Sequence, residues 1–173
     1  MAQHRPARLV GIDIMPFELA KARFLSHWFD QPVELYQLSV YDVAHLRTRF
    51  DQVVFVGVLY HLKHPLYALE RVAECCTDTM YMASVIRGAF GEYETRDDYA
   101  AGDLSIFDHP DFPRMYFIEK SYNGDPTNWW FPTRSCLKAM LRVSGFSPIA
   151  DTTEPDVLVC RRNRDVTAPP IPG

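Results

Sequence analysis

The sequence predicts an α/β protein: an open, mostly parallel sheet with helices on its faces and an antiparallel hairpin at its C-terminal end. Three observations carry that expectation. The apolar runs Leu9 to Ile14 and Gln52 to Leu59 are dense in β-branched residues and read as buried strands. Each is followed by a proline, Pro16 or Pro65, of the kind that opens a helix at its first turn. The connections are short, so strand, helix and strand succeed one another as parallel crossovers.

After Pro16, the residues Phe17, Ala20, Phe24 and Trp28 recur at helical spacing, with Leu25 widening the stripe. They predict a helix over 16–29 that lays one apolar face on a sheet and ends at Asp30-Gln31-Pro32. Val33 to Val40 alternates as a second strand, and Gln52 to Leu59 is the third. Leu66, Leu69, Val72 and Ala73 mark a helix from Pro65 to the Cys75-Cys76 pair, and Met80 to Ile86 supplies a fourth strand. Residues 87–131 carry aromatics, glycines, prolines and acids without a dependable period, which predicts a lid or a substrate-shaping insert. Thr133 reads as an N-cap, Leu137, Met140 and Leu141 as a buried stripe, and Gly145 as the stop. Ser147 to Thr153 and Asp156 to Arg162 form the hairpin about Glu154-Pro155. The expected organisation is one domain over 1–162 and a proline-rich, disordered tail over 163–173.

Composition narrows the classes of function. A chain of 173 residues with 47% hydrophobic content can bury a core without staples. Eighteen Lys and Arg against 22 Asp and Glu leave a net charge of -4, so no global positive field gathers phosphate, and a nucleic-acid partner is disfavoured. Cys75, Cys76, Cys136 and Cys160 show no CxxC spacing, which suits free thiols in a reducing cytoplasm better than a zinc knuckle or a disulfide framework. No run reaches membrane-span length and the N-terminus lacks a signal core, so a cytoplasmic protein is expected.

Ligands of parallel sheets bind beyond the carboxyl ends of the strands, where Asp13, Asp42 and the Gly57 to His61 stretch fall. Asp13 can accept both hydroxyls of a ribose, or cap the helix that follows it. Asp42 can accept from an adenine amine, or cap a turn. Gly57 admits close approach of a ligand to the backbone, or of a helix to the strand. His61 and His64 form an HxxH spacing with no acidic or thiol partner nearby, so no metal is expected.

These residues resemble a known family. "VGID", "SVYD" and "FDQVVFVGVLYHLKHPLYALERV" are similar to the second, third and fourth cofactor-binding motifs of class I S-adenosylmethionine-dependent methyltransferases. Within that family the likeness is to the group related to the tRNA wobble-uridine carboxymethyltransferase, which carries a similar "GVLYH", a basic residue and a "P-L" helix start. The likeness covers roughly residues 7–86 and resumes more loosely in "MYFI" and "LKAMLRVSGF". It implies a Rossmann-like sheet and S-adenosylmethionine as cofactor. It also implies that Asp13 holds the ribose, Asp42 and the Val43 backbone read the adenine, and Val56, Gly57 and Tyr60 line the methionine end. Tyr60 and His61 are then the catalytic candidates facing the methyl group.

Methyl transfer from a sulfonium needs positioning above all, and a base only where the acceptor is protonated. His61 is the candidate base; its alternative role is to cap the Pro65 helix. In the insert, Tyr93, Tyr99, Phe107, Phe112, Tyr116, Phe117, Trp129 and Trp130 offer stacking faces and Arg114 and Lys120 offer charge, either to an acceptor or to a small hydrophobic cluster under a long loop. Of these Tyr116, Trp129 and Trp130 are the candidates for the substrate pocket. "NGDPTNWWFPT" departs from the shorter connection of the tRNA enzyme, which points to a small-molecule or glycan-type acceptor as well as a nucleic acid.

The family's first strand and glycine-rich loop have no counterpart in "MAQHRPAR", residues 1–8. That strand is central, so three outcomes are expected: the Leu9 strand closes up beside the Gln52 strand, another chain fills the slot, or the sequence is a truncated piece, the last being the favoured expectation. The expected function is methyl transfer to an unidentified acceptor, impaired by that truncation. The alternative is a non-catalytic, methyltransferase-like interaction subunit; a nicotinamide-dinucleotide protein is a third reading, disfavoured by "GVLYH".

Overall fold

The parallel pairing expected of the short crossovers is formed twice. In the computed structural model, which describes residues 6–28, 32–152, 154 and 156–166, the chain divides into two units, 1–47 and 48–173. In the first, strand β1 (Val10–Asp13) runs parallel to β2 (Glu34–Gln37), joined by helix α1 (Pro16–Ser26). The Arg8 guanidinium forks onto Glu34 at 2.7 and 2.8 Å, and the Tyr36 hydroxyl donates to the same carboxylate at 2.7 Å. These donors hold the Glu34 carboxyl down at about 2, so it stays ionised as a clasp across the start of both strands.

The expected burial of the α1 stripe is not met. No residue of α1 is buried, and Phe17 and Trp28 are 68% and 77% exposed. The reason within this unit is size: two four-residue strands offer too narrow a platform to cover an 11-residue amphipathic helix. The β1 residues, expected to be buried on both faces, are half-buried for the same reason.

The second unit runs β3 (Phe50–Val56), α2 (Pro65–Cys75), β4 (Cys76–Ala83), β5 (Met115–Phe117), β6 (Trp130–Pro132), α3 (Arg134–Val143), β7 (Phe146–Asp151) and β8 (Val157–Arg162). Its main sheet has the order β3-β4-β8-β7, parallel between β3 and β4 and antiparallel thereafter, so the C-terminal hairpin forms as expected. β1 and β2 form a two-stranded sheet of their own in the first unit, and β3 is an end strand of the four-stranded sheet.

Helix α2 packs on β4 and against α3, which in turn packs on β7. Leu69, Met80, Met82, Leu137, Leu141, Phe146 and Leu158 are at most 1% exposed and form the core. Each such side chain contributes about 1.5–3 kcal/mol of burial. Arg162 ties the layers together by donating from Nε to the Ala73 carbonyl at 2.8 Å and from Nη1 to the Gly145 carbonyl at 2.7 Å, a cation at two helix C-terminal ends.

Two strand boundaries differ from expectation. β3 stops at Val56 instead of Leu59 because Gly57 turns the chain at φ 74°. β4 begins at Cys76, directly after α2, because Cys76 and Thr79 extend the pairing with β3 across a register shift between Phe50 and Gln52. The unbroken apolar look of β3 misleads as well: Phe55 points into the core while Val54 and Val56 are exposed, since one face of this end strand is left uncovered. Helix α1 stops at Ser26, with His27 at its C-cap, instead of running to residue 29. The turn at Glu154-Pro155, Asp30-Gln31 and the tail beyond Val166 lie outside the described residues in whole or part. Among the described residues no helix is long and apolar enough to cross a membrane.

Thr133 caps α3 as expected: its hydroxyl accepts from the Cys136 amide at 3.3 Å and from the Arg114 amide at 3.1 Å. The residue is fully buried, so Thr133→Val should cost about 1–3 kcal/mol in urea denaturation by stranding both amides. The four cysteines are free and buried, and burial pushes the Cys75 and Cys136 thiols up to about 11 and Cys160 up to about 12. A raised thiol pKa leaves the unreactive protonated form in place, so iodoacetamide at about pH 8 should add nothing to the native chain by mass spectrometry and label all four after denaturation.

Candidate active site

Asp13 ends β1 with its carboxylate half engaged. Oδ1 accepts from the Met15 amide at 2.7 Å, while Met15 and not Asp13 occupies the N-cap position of α1. This local turn fixes the carboxyl group and leaves Oδ2 without a hydrogen bond among the described residues, pointing the acid away from the capping role. Asp42 sits exposed in the first turn of a 3-10 stretch, Val40–Leu46. That turn is capped by Ser39, whose hydroxyl accepts from the Tyr41 amide at 3.2 Å, so the Asp42 carboxylate is not spent on capping. Val43, beside it, is buried and anchors the turn.

In the second unit the chain leaves β3 at Val56, and the Gly57 amide donates to the Ala83 carbonyl of β4 at 3.1 Å. The positive φ at Gly57 is reached without strain only by glycine, and a Cβ placed there would meet open space apart from the Tyr60 hydroxyl at 3.7 Å. A 3-10 turn, Leu59–His61, follows, with Leu59 buried beneath it as the anchor. It displays Tyr60 and His61 side by side, their ring centroids 4.2 Å apart. Next to Ala83, the Ser84 hydroxyl is buried with no hydrogen-bond partner among the described residues.

The end of the insert closes over this turn. Tyr122 and Asp125 exchange both backbone hydrogen bonds, at 3.1 and 3.0 Å, across Asn123 and Gly124, whose φ values of 50° and 77° make a tight hairpin turn. Asp125 accepts from the Thr127 amide at 2.8 Å and from its hydroxyl at 2.6 Å, and the Thr127 hydroxyl lies 2.8 Å from His61 Nδ1. The Trp129 amide donates to the Tyr60 carbonyl at 2.8 Å, and Lys63 Nζ sits 4.4 Å over the Trp129 ring. Trp130 donates from Nε1 to the Lys63 carbonyl at 3.3 Å and stacks on Phe117 at 4.8 Å. Thr127's hydroxyl and amide hold the Asp125 carboxyl below the usual carboxylate range, so at neutral pH it is an ionised, acceptor-only group.

The structure thus brings Tyr60, His61, Trp129 and Trp130 together. His61 does not cap the Pro65 helix, because His64 holds that position while the His61 ring faces Thr127. Tyr116 stands opposite Phe131 in the β5–β6 ladder with its hydroxyl against the Gly88 backbone. The earlier aromatics of the insert follow the other reading: Tyr93, Tyr99 and Phe107 pack edge-on around Phe112 at 5.2, 6.0 and 5.1 Å, a hydrophobic cluster of their own. Arg114 serves that loop, donating to the Phe107 and His109 carbonyls at 2.6 and 2.8 Å, so its charge is committed to structure. A cleft of about 670 Å³ beside this cluster is lined by Glu92, Tyr93, Arg96, Asp103 and His109 among others, and by none of Tyr60, His61, Tyr116, Trp129 and Trp130. Asp125 and Thr127 were not legible as site residues, although Asn-Gly is a strong turn signal and Asp-Pro-Thr a local hydrogen-bonding one.

This arrangement is the fold of the class I S-adenosylmethionine-dependent methyltransferases. A crystal structure of the N-terminal domain of EvdMO1 with SAH bound aligns with a TM-score of 0.62 at 23% identity, over 94% of this chain and 68% of that one. Magnesium protoporphyrin IX methyltransferase (ChlM) from Synechocystis PCC 6803 with bound SAH aligns at 0.59 and 14% identity, over 94% of this chain and 67% of that one. In sequence the chain is similar to proteins named tRNA U34 carboxymethyltransferase. That of Aliarcobacter butzleri (strain RM4018) is 26% identical over 151 residues, which are 86% of this chain and 43% of that protein. The chain therefore spans less than half the length of this curated relative. No family model matches.

The indole bond to Lys63 gives the clamp a direct check. Trp130→Phe keeps a ring to stack on Phe117 but removes the donor, and it should lower stability by about 0.5–1 kcal/mol in urea denaturation. It should also speed exchange of the Trp129 amide with deuterium, since that amide bonds the same turn at Tyr60.

Proposed function

We propose that this chain carries an S-adenosylmethionine-dependent methyltransferase fold whose acceptor presents a protonated heteroatom. The observation that carries the reading is the glycine turn at the carboxyl end of β3, which displays Tyr60 and His61 and leaves room against the backbone of Gly57. Three features fit the cofactor: the unengaged oxygen of Asp13, the uncapped carboxylate of Asp42, and the orphaned Ser84 hydroxyl at the strand end. When bound, S-adenosylmethionine supplies a methyl group already activated on a sulfonium.

The residues then divide the work. Asp13 accepts from the ribose hydroxyls, and Asp42 with the Val43 backbone reads the adenine. Val56, Gly57 and Tyr60 line the methionine end, where glycine permits backbone approach and Tyr60 excludes water. His61 takes the acceptor's proton, and Trp129 and Trp130 hold the turn and offer a stacking face. The net charge of -4 favours a small-molecule acceptor over the tRNA that the relatives' name specifies. The exposed Phe17 and Phe24 of α1, with the exposed Trp28 just beyond it, favour a second reading, a non-catalytic interaction subunit of methyltransferase fold.

Saturation-transfer NMR with S-adenosylhomocysteine separates the two. We expect transfer to the ribose and adenine protons with a Kd near 1 mM, about -4 kcal/mol. Asp13→Ala should abolish the ribose signal. No transfer from the unsubstituted chain leaves the interaction-subunit reading standing, and displacement by a nicotinamide dinucleotide overturns both.

A further inference from the structure

We infer that Asp125 and Thr127 form a positioning relay that fixes the tautomer of His61, leaving Nε2 as the proton acceptor. The argument is a count of protons. Thr127 has one hydroxyl proton, and its 2.6 Å contact with the ionised Asp125 carboxylate claims it. The Thr127 oxygen can then only accept at its 2.8 Å contact with His61 Nδ1, so Nδ1 must carry the hydrogen. The Thr127 carbonyl, 3.3 Å from the same nitrogen, is acceptor-only and requires the same assignment. A neutral imidazole protonated at Nδ1 has its lone pair at Nε2.

The backbone makes this relay stiff. The Asn123-Gly124 turn presents Asp125, Pro126 fixes its own φ and donates no N–H, and the Thr127 amide locks onto Asp125 at 2.8 Å. The Trp129 amide then pins the segment to the carbonyl of Tyr60, next to His61 itself. When Nε2 takes a proton from an acceptor N–H or O–H, the bonding pair stays on the acceptor heteroatom and the ring gains one positive charge. The second carboxylate oxygen of Asp125, 3.9 Å from Nδ1, faces that charge, and the Tyr60 ring lies tilted beside it, its centroid 4.2 Å away. Asp125 and Thr127 are positioning residues, acting through His61.

The inference rests on the methyltransferase reading for the use of Nε2, but its test reads the tautomer alone. In chain labelled with ¹⁵N-histidine, with His61 assigned by loss of its signals in His61→Gln, two-bond ¹H–¹⁵N spectra above the titration range should show a protonated Nδ1 and an unprotonated Nε2. The preference should be roughly tenfold, the scale of one neutral hydrogen bond from Nδ1–H to the Thr127 oxygen. Asp125→Ala frees the Thr127 proton to donate to Nδ1 and should bring the two tautomers toward equal populations; Thr127→Val should also weaken the preference, and Thr127→Ser should keep it. A dominant Nε2–H form in the unsubstituted chain, or no change in both Asp125→Ala and Thr127→Val, overturns the relay. A confirmed relay with no S-adenosylhomocysteine binding overturns the methyltransferase reading instead.

Discussion

Strand β4 is the constraint on which the second unit depends. It pairs with β3 on one side and β8 on the other, and its Met80 and Met82 lie fully buried beneath the helical layer. At its carboxyl end the Ala83 carbonyl takes the Gly57 amide. That single bond converts the end of one strand into the start of the turn that carries Tyr60 and His61, because it fixes where the chain departs from the sheet and lets glycine supply the positive φ. The buried Leu59 then anchors the turn from below, so Tyr60 and His61 project from a rigid support.

The insert holds the same turn from above. Thr127, Trp129 and Trp130 each bond to one residue of the Tyr60–Lys63 stretch, through a side chain, a backbone amide and an indole N–H in succession. Three bonds of different kinds restrict translation and rotation of the turn together. The tight hairpin turn at Asn123-Gly124 sets their register. In the first unit the logic is simpler: local turns occupy one oxygen of Asp13 and give the capping work near Asp42 to Ser39.

Much of this was legible beforehand. The starts of α1 and α2 were visible as first-turn prolines, and α3 as a threonine cap with a glycine stop, since each rests on a residue's own backbone limits. Asp13, Gly57, Tyr60 and His61 were visible as residues at strand ends. What misled was burial: Phe17, Phe24 and Trp28 have the spacing of a buried stripe and Val54 and Val56 the look of a two-faced strand, yet all five are exposed. Spacing says which residues share a face; it does not say whether anything covers that face.

The sequence by itself determined the α/β class, the parallel crossovers, the caps and the candidate residues at the strand ends, because these follow from dihedral limits and periodicity acting over a few neighbours. Only the tertiary structure decided which of the candidates meet one another and which distant residues join them. Asp125 and Thr127 lie 64 and 66 residues from His61, and no local pattern links them. Their contact with it exists because β4 places the Gly57 turn beneath the end of the insert, and a hydrogen bond depends on distance in space, not along the chain.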